Sequence, residues 1–277
     1  MLLKWAGGKS WLTRNHPYIF HNKESLFSRS LTHPSIEYKK YIDPFLGGGA
    51  VFKHLQPNES LISDVNKELI AFYQCLKSTP EKLFNEVANH FKFHCEDYYY
   101  ETRDTVQKKK ILIAARFLYL NYTCFNGIYR VNSSNKFNVP IGDNDKFHYS
   151  LEDFKKHSKA LKNAKIKNQD FKDTIYESEA GDLLYIDPPY VTQSNDSTFD
   201  MYSSKIFSWQ DQVELSVLLE DKRKEGVHII ISNINDIEII NLYPIKNGWK
   251  HTMLDRANSL AYRPKGKKYK EIVISNI

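Results

Sequence analysis

The tetrapeptide Asp187-Pro188-Pro189-Tyr190, directly behind the apolar run Leu183-Leu184-Tyr185-Ile186, constrains the fold more than any other part of this chain. The run reads as a buried strand, and a strand interior does not accommodate two prolines, which lack a backbone donor and fix φ. The strand therefore stops at Asp187 and leaves a carboxylate at its C-terminal edge, where open α/β sheets bind ligands. The prolines hold the next carbonyls on a rigid, non-helical path, and Tyr190 adds a flat face. A carboxylate, a fixed carbonyl and an aromatic plate suit a planar amine, whose exocyclic NH2 donates two hydrogen bonds while its ring stacks.

Two further strand-to-acid units precede it. In Tyr41-Ile42-Asp43-Pro44-Phe45-Leu46-Gly47-Gly48-Gly49-Ala50 a short strand ends in an acid, and a glycine turn enters a helix near Ala50. Glycines permit positive φ and let a ligand approach the backbone closely. Ser60-Leu61-Ile62-Ser63-Asp64 is a second short strand ending in an acid, placed to take both hydroxyls of a ribose, as the acid about 20 residues after the glycine turn does in nucleoside-binding α/β folds. Taken alone, the glycine loop serves equally well as a plain chain reversal; Asp64 and the downstream Asp-Pro-Pro-Tyr favour a bound nucleoside.

Helical periodicity follows from Val65 to Leu76, and residues 81–120 read as mostly helical. From Asn121 to Asp145 turn signals flank two short β-like pieces, Ile128–Asn132 and Lys136–Val139, which predicts a hairpin with an extended arm. Lysines crowd Lys146–Lys172. The α/β rhythm then resumes with a strand at Leu183–Ile186, a helix at Trp209–Glu225, a strand at Val227–Ser232, an apolar Ile237–Leu242 and a last strand at Glu271–Ile277. A basic loop, Arg256 to Lys270, precedes that strand. The lysine cluster and the basic loop read either as solvated faces or as phosphate contacts.

At 277 residues the chain suits one large domain or two small ones, and its net charge of +6 suits a polyanionic partner without requiring one. Cys75, Cys95 and Cys124 are widely spaced, with no CxxC pair, which predicts reduced thiols in a cytoplasmic setting and no zinc or other metal site. The N-terminus leads at once into Lys4-Trp5, so no signal peptide is expected, and no apolar run approaches membrane-spanning length. Trp5-Ala6-Gly7-Gly8-Lys9-Ser10 imitates a P-loop, but Leu3 stands where that motif needs its first glycine and no strand precedes it. In the Asn126–Arg130 and Phe137–Pro140 segments, Arg130 has the chemistry to grip guanine O6 and N7; a surface arginine on a solvated loop is the plainer reading.

Read in order, these motifs resemble the DNA adenine methylase family, the α-group amino-methyltransferases. They are Lys4-Trp5-Ala6-Gly7-Gly8-Lys9, Asp43-Pro44-Phe45 with Gly47 and Gly49, Asp64 with Asn66, Asn126-Gly127-Ile128-Tyr129-Arg130, Phe137-Asn138-Val139-Pro140 with Gly142, and Asp187-Pro188-Pro189-Tyr190. The likeness runs from Lys4 to Asn276. It implies an α/β, Rossmann-like S-adenosylmethionine-dependent methyltransferase sheet carrying an inserted, mostly helical target-recognition domain with a β-hairpin. Residues 1–64 and 166–277 would be the catalytic domain and residues 65–165 the DNA-reading one. By resemblance, Trp5, Lys9, Asp43, Phe45, Gly47, Gly49, Asp64, Asp170 and Asp187 are cofactor-binding. Asp187, Pro188, Pro189 and Tyr190 are catalytic. Asn126, Arg130, Asn138 and Pro140 belong to the DNA-reading segment, with Arg130 and Pro140 at base-recognising positions in members that read GATC. The family's cofactor loop often begins Glu-Pro-Phe; Asp43 shortens that carboxylate by one methylene.

The implied reaction is methyl transfer to N6 of a flipped adenine in duplex DNA, by a monomer in the cytoplasm, with no membrane and no obligate protein partner. The tetrapeptide alone marks only a planar amine, so cytosine N4 or RNA is the alternative target. A DNA-binding module that has lost catalysis is the reading from another class, which S-adenosylmethionine binding measured by calorimetry discriminates.

Overall fold

Leu183–Ile186 is a strand buried at every position, as an apolar run without alternation requires. It lies between two others that run parallel to it. β1 (Tyr41–Asp43) pairs Tyr41 with Leu183 and Ile42 with Leu184. β5 (His228–Ile234) pairs from His228 opposite Leu183 to Ile231 opposite Ile186. With β2 (Ser60–Asp64), β3 (Ala164–Asn168), β4 (Leu183–Ile186), β6 (Lys250–Asp255) and β7 (Lys270–Ser275), the seven-stranded sheet has the order β3-β2-β1-β4-β5-β7-β6. The order reverses between β1 and β4, which is the switch point where open α/β sheets take ligands at their carboxyl edge. A computed structural model describes residues 2–20, 36–132, 136–192, 207–255 and 270–277. The expected basic loop lies, up to residue 269, outside the described residues.

The chain forms two compact units, Met1–Ile36 with Leu46–Gln169, and Glu37–Phe45 with Asp170–Ile277. The first holds β2 and β3, paired in parallel from Ser60 opposite Ala164 to Asp64 opposite Asn168. It also holds helices α1 (Ser10–Asn15), α2 (Ala50–Leu55), α3 (Lys67–Ser78), α4 (Pro80–Lys92), α5 (Glu96–Asp104), α6 (Lys110–Thr123) and α7 (Leu151–Ala160). α6 is buried without a break from Ala114 to Thr123, and a helix apolar all round belongs in the middle of its unit; α3, α4 and α5 all pack on it. Arg116, the charge that interrupts this apolar helix, is absorbed by the Thr102 and Arg103 carbonyls and by Glu68 at 2.9 Å.

The second unit holds the remaining strands and helices α8 (Phe171–Tyr176), α9 (Trp209–Lys224) and α10 (Ile237–Leu242). β7 lies antiparallel between β5 and β6.

The lysine-rich stretch, read from sequence as either a solvated face or a set of phosphate contacts, is built into α7, β3 and the start of α8. β3 is an edge strand, and lysines there discourage pairing with another chain. Two of the cluster's lysines form intramolecular ion pairs, Lys155 with Glu81 and Lys172 with Glu214. In the expected hairpin, residues 128–132 and 136–139 meet through the isolated bridge Val131–Phe137, and a second bridge joins Cys124 to Ile141. A longer ladder does not form because Asn126 and Gly127 both have positive φ and Pro140 has no N–H to donate. Burial pushes the Cys124 thiol up to about 12, so it acts as a small apolar side chain.

Candidate active site

β4 ends at Ile186, and Asp187 follows, half-buried, with Pro188 buried behind it. The parallel pairing of β1 with β4 brings the carboxyl ends of both strands, where Asp43 and Asp187 stand, to one edge of the sheet. Asp43 is buried, and its carboxylate accepts from the Tyr41 hydroxyl at 2.9 Å and from the Phe45 N–H at 3.2 Å. It therefore holds the turn that leaves β1. The half-buried Tyr190 has its hydroxyl 3.1 Å from Glu271 Oε2, to which it donates, and 3.3 Å from Ser232 Oγ. Burial, then the Asp187 and Glu271 carboxylates, hold its pKa well above the ordinary phenol value, so Tyr190 stays a neutral donor. Phe45 stacks on Phe171 at 5.4 Å, and Phe207 meets both rings edge-on at 5.7 and 5.6 Å. Asp170, at the same cluster, is the exposed N-cap of α8 and accepts from the Lys172 N–H.

In the first unit the glycine turn is organised around Asp64. Gly47 N–H donates to Asp64 Oδ2 at 3.1 Å and Asn66 N–H to Oδ1 at 2.9 Å. Burial raises the Asp64 pKa, and the backbone donors of Asn66, Gly47 and Val65 oppose that rise. A carboxylate has about four lone-pair sites, so these donors leave capacity for a further one. Gly47 has φ +46° and Gly49, the residue before α2, φ +64°. A Cβ on Gly47 would fall 2.7 Å from Nε1 of Trp5, so Trp5 covers the turn. Trp5 in turn stacks on Tyr129, ring centroids 5.6 Å apart. Lys9 is buried just before α1, and its Nζ donates to the Gly7 carbonyl.

The expected DNA-reading residues meet on one pair of loop segments. Arg130 is exposed, and its Nε donates to Asn138 Oδ1 at 3.0 Å. Asn126 and Pro140 are also exposed, joined through the Phe125 N–H, which donates to the Pro140 carbonyl. Tyr99, buried, donates to the Val139 carbonyl at 2.9 Å and anchors the strip from below.

The model of the D12 class N6 adenine-specific DNA methyltransferases matches residues 5–253. The chain belongs to this family. It is 34% identical to the type II methyltransferase M1.LlaDCHI of Lactococcus lactis subsp. cremoris, over 99% of this chain and 94% of the relative. It is also 34% identical to the type II methyltransferase M.MjaIII of Methanocaldococcus jannaschii, over 85% of this chain and 84% of the relative. It is 27% identical to the DNA adenine methylase of Escherichia coli K12, over 83% and 79%.

For an adenine-specific DNA methyltransferase, the sequence motifs name the strand ends and loops but miss their supports. Asn121 is one: it accepts from the Lys4 N–H and donates to the Lys4 carbonyl, clamping the N-terminal motif. Tyr73, which donates to the Gly47 carbonyl, and Glu68, which accepts from Tyr129 and Arg116, are others. Phe171, Phe207, Ser232 and Glu271 complete the set. Asn66, which the motif around Asp64 already includes, caps α3. Among the described residues no group of three or more His, Cys, Asp or Glu is placed to hold a metal ion, and no helix is long and apolar enough to cross a membrane.

Proposed function

We propose that this adenine-specific DNA methyltransferase methylates N6 of an adenine flipped out of duplex DNA, within GATC or a related site, with S-adenosylmethionine as donor. The observation that carries the reading is Asp187 at the carboxyl edge of β4, followed by a rigid diproline turn and an aromatic ring held at its hydroxyl end. The N6 lone pair of adenine is delocalised into its ring, so the free amine is a poor nucleophile. Asp187 and the Pro188 carbonyl accept its two N–H groups and favour a more pyramidal, more nucleophilic nitrogen. Positive charge develops on that nitrogen as it is methylated, and Asp187 stands where the charge appears. The proton leaves afterwards, so Asp187 need not act as a base before attack. Tyr190 stacks on the extruded base, which inside a duplex is out of reach.

The residues of each unit fit a nucleoside cofactor. Asp64 has lone-pair capacity for ribose hydroxyls, Gly47 and Gly49 adopt backbone that admits close approach, Trp5 covers that turn, and Lys9, buried beside Gly7, offers a cation. Asp43 shapes its loop, while Phe45, with Phe171 beside Asp170, offers an apolar face for a base. When bound, S-adenosylmethionine supplies an electrophilic methyl group carried on a sulfonium. In this reading residues 65–165 are the target-recognition domain, residues 1–64 and 166–277 the catalytic domain, and the protein acts as a monomer in the cytoplasm. The type II methyltransferase names of two relatives support pairing with a restriction enzyme.

Single-molecule sequencing of DNA from cells expressing the protein, joined to nucleoside analysis, tests the reading: N6-methyladenine at one recurring sequence is expected. Asp187→Ala should lower methyl incorporation by about 100-fold or more. N4-methylcytosine, or wild-type incorporation by Asp187→Ala, would overturn it.

A further inference from the structure

Glu271 is a carboxylate inside the sheet, only 3% exposed. It lies on β7 opposite Ile234 of β5 and Leu254 of β6, and the next three residues of its own strand are buried aliphatics. A buried carboxylate is costly unless its oxygens are hydrogen-bonded, and an aliphatic residue would serve the sheet at lower cost. Glu271 Oε2 accepts from the Tyr190 hydroxyl at 3.1 Å. Ser232, also buried, lies 3.3 Å from the same hydroxyl. Ser232 pairs with Val273, so the two-residue alternation of strands puts Ser232 and Glu271 on one face of the sheet, a diagonal step apart. Both are carried by paired strands, the most precise mounts a fold offers. Tyr190 is thus held at two points, its backbone behind the diproline turn and its hydroxyl at the far tip of the ring, which together define the axis of the ring.

We propose that Glu271, with Ser232, is a positioning residue for methyl transfer: it locks the Tyr190 ring so that its face is set to receive the extruded base beside Asp187. The inference rests on the methyl-transfer reading above. It predicts that the hydroxyl of Tyr190 matters although stacking requires only the ring.

The test uses the whole protein and a duplex bearing its site, with 2-aminopurine in place of the target adenine for one readout and the natural base for the other. Tyr190→Phe keeps the ring and removes the tether; Glu271→Ala removes its other end; Glu271→Gln keeps an acceptor. Single-turnover methyl transfer should fall about tenfold or more in Tyr190→Phe and Glu271→Ala, with cofactor affinity unchanged by calorimetry. Glu271→Gln should recover most of the rate. The double variant should be no slower than the slower single one, and both single variants should show brighter 2-aminopurine, its stacking loosened. Wild-type rates in Tyr190→Phe, multiplied losses in the double variant, or cofactor affinity lost in step with rate would each overturn the proposal. Tyr190→Phe decides the matter if Glu271→Ala does not fold. A wild-type protein that methylates no DNA would instead remove the methyl-transfer reading, and this inference with it.

Discussion

Asp43, Asp64 and Asp187 all stand at or just beyond a strand end, yet their surroundings give them different work. Asp43 accepts from Tyr41 and from the Phe45 N–H, so its carboxylate holds the turn that leaves β1. Asp64 accepts backbone N–H groups on both oxygens, and burial raises its pKa. The folded state then holds the Asp64 proton more tightly than the unfolded chain does. On this account folding stability falls as pH rises from the ordinary aspartate range through the raised value. Ribose hydroxyls donate to the ionised form, so S-adenosylmethionine affinity should weaken as pH falls through that same interval, earlier than an ordinary aspartate would allow. Calorimetric titrations across acidic pH check this, and Asp64→Asn should bind weakly with a flat profile; an affinity that holds into the ordinary aspartate range would remove Asp64 from the ribose. Arg130 raises a different question, because its guanidinium is aligned by Asn138. Arg130→Ala should cost about 1–3 kcal/mol of discrimination at one base pair, measured by competing methylation of singly substituted sites. A loss spread evenly over all sequences would make Arg130 a phosphate contact.

Helix α3 begins where β2 has delivered Asp64, and Asn66 joins them. Its side chain accepts from the Glu68 and Leu69 N–H groups at 3.0 and 3.1 Å, while its own N–H donates to Asp64. Asn66→Ala should therefore lower stability by about 0.5–2 kcal/mol, read as a shifted urea midpoint with an unchanged slope. Asn66→Asp, which keeps the cap acceptor, should recover most of it. This element was legible because an acid-ending strand, a capping residue and a helical period follow each other within one short stretch. β4 was legible for a similar reason: two prolines end it. β3, β6 and α7 were not. Lysines alternate through β3 at a sheet edge, where solvent and not the core sets composition. α7 opens on a capping box of Ser150 and Asp153, an aspartate variant of a signature whose usual third residue is glutamate or glutamine.

For the whole molecule, a net charge of +6 predicts that DNA binding weakens steeply with salt. If several lysines meet phosphates, the logarithm of the binding constant should fall against the logarithm of salt with a slope of about −0.9 per contact, checked by anisotropy titrations on one duplex. A flat dependence would return the lysine-rich surfaces to plain solvated faces. The motifs and their order were determined by the sequence itself, because each rests on local chemistry: proline has no donor, glycine tolerates positive φ, and a carboxylate after an apolar run marks a strand's edge. Tertiary structure decided what each of those residues touches. Tyr190 meets Glu271 across 81 residues of chain, and Lys4 meets Asn121 across 117. Such pairs depend on strand order, register and helix packing over long separations, and no local pattern of residues carries that information.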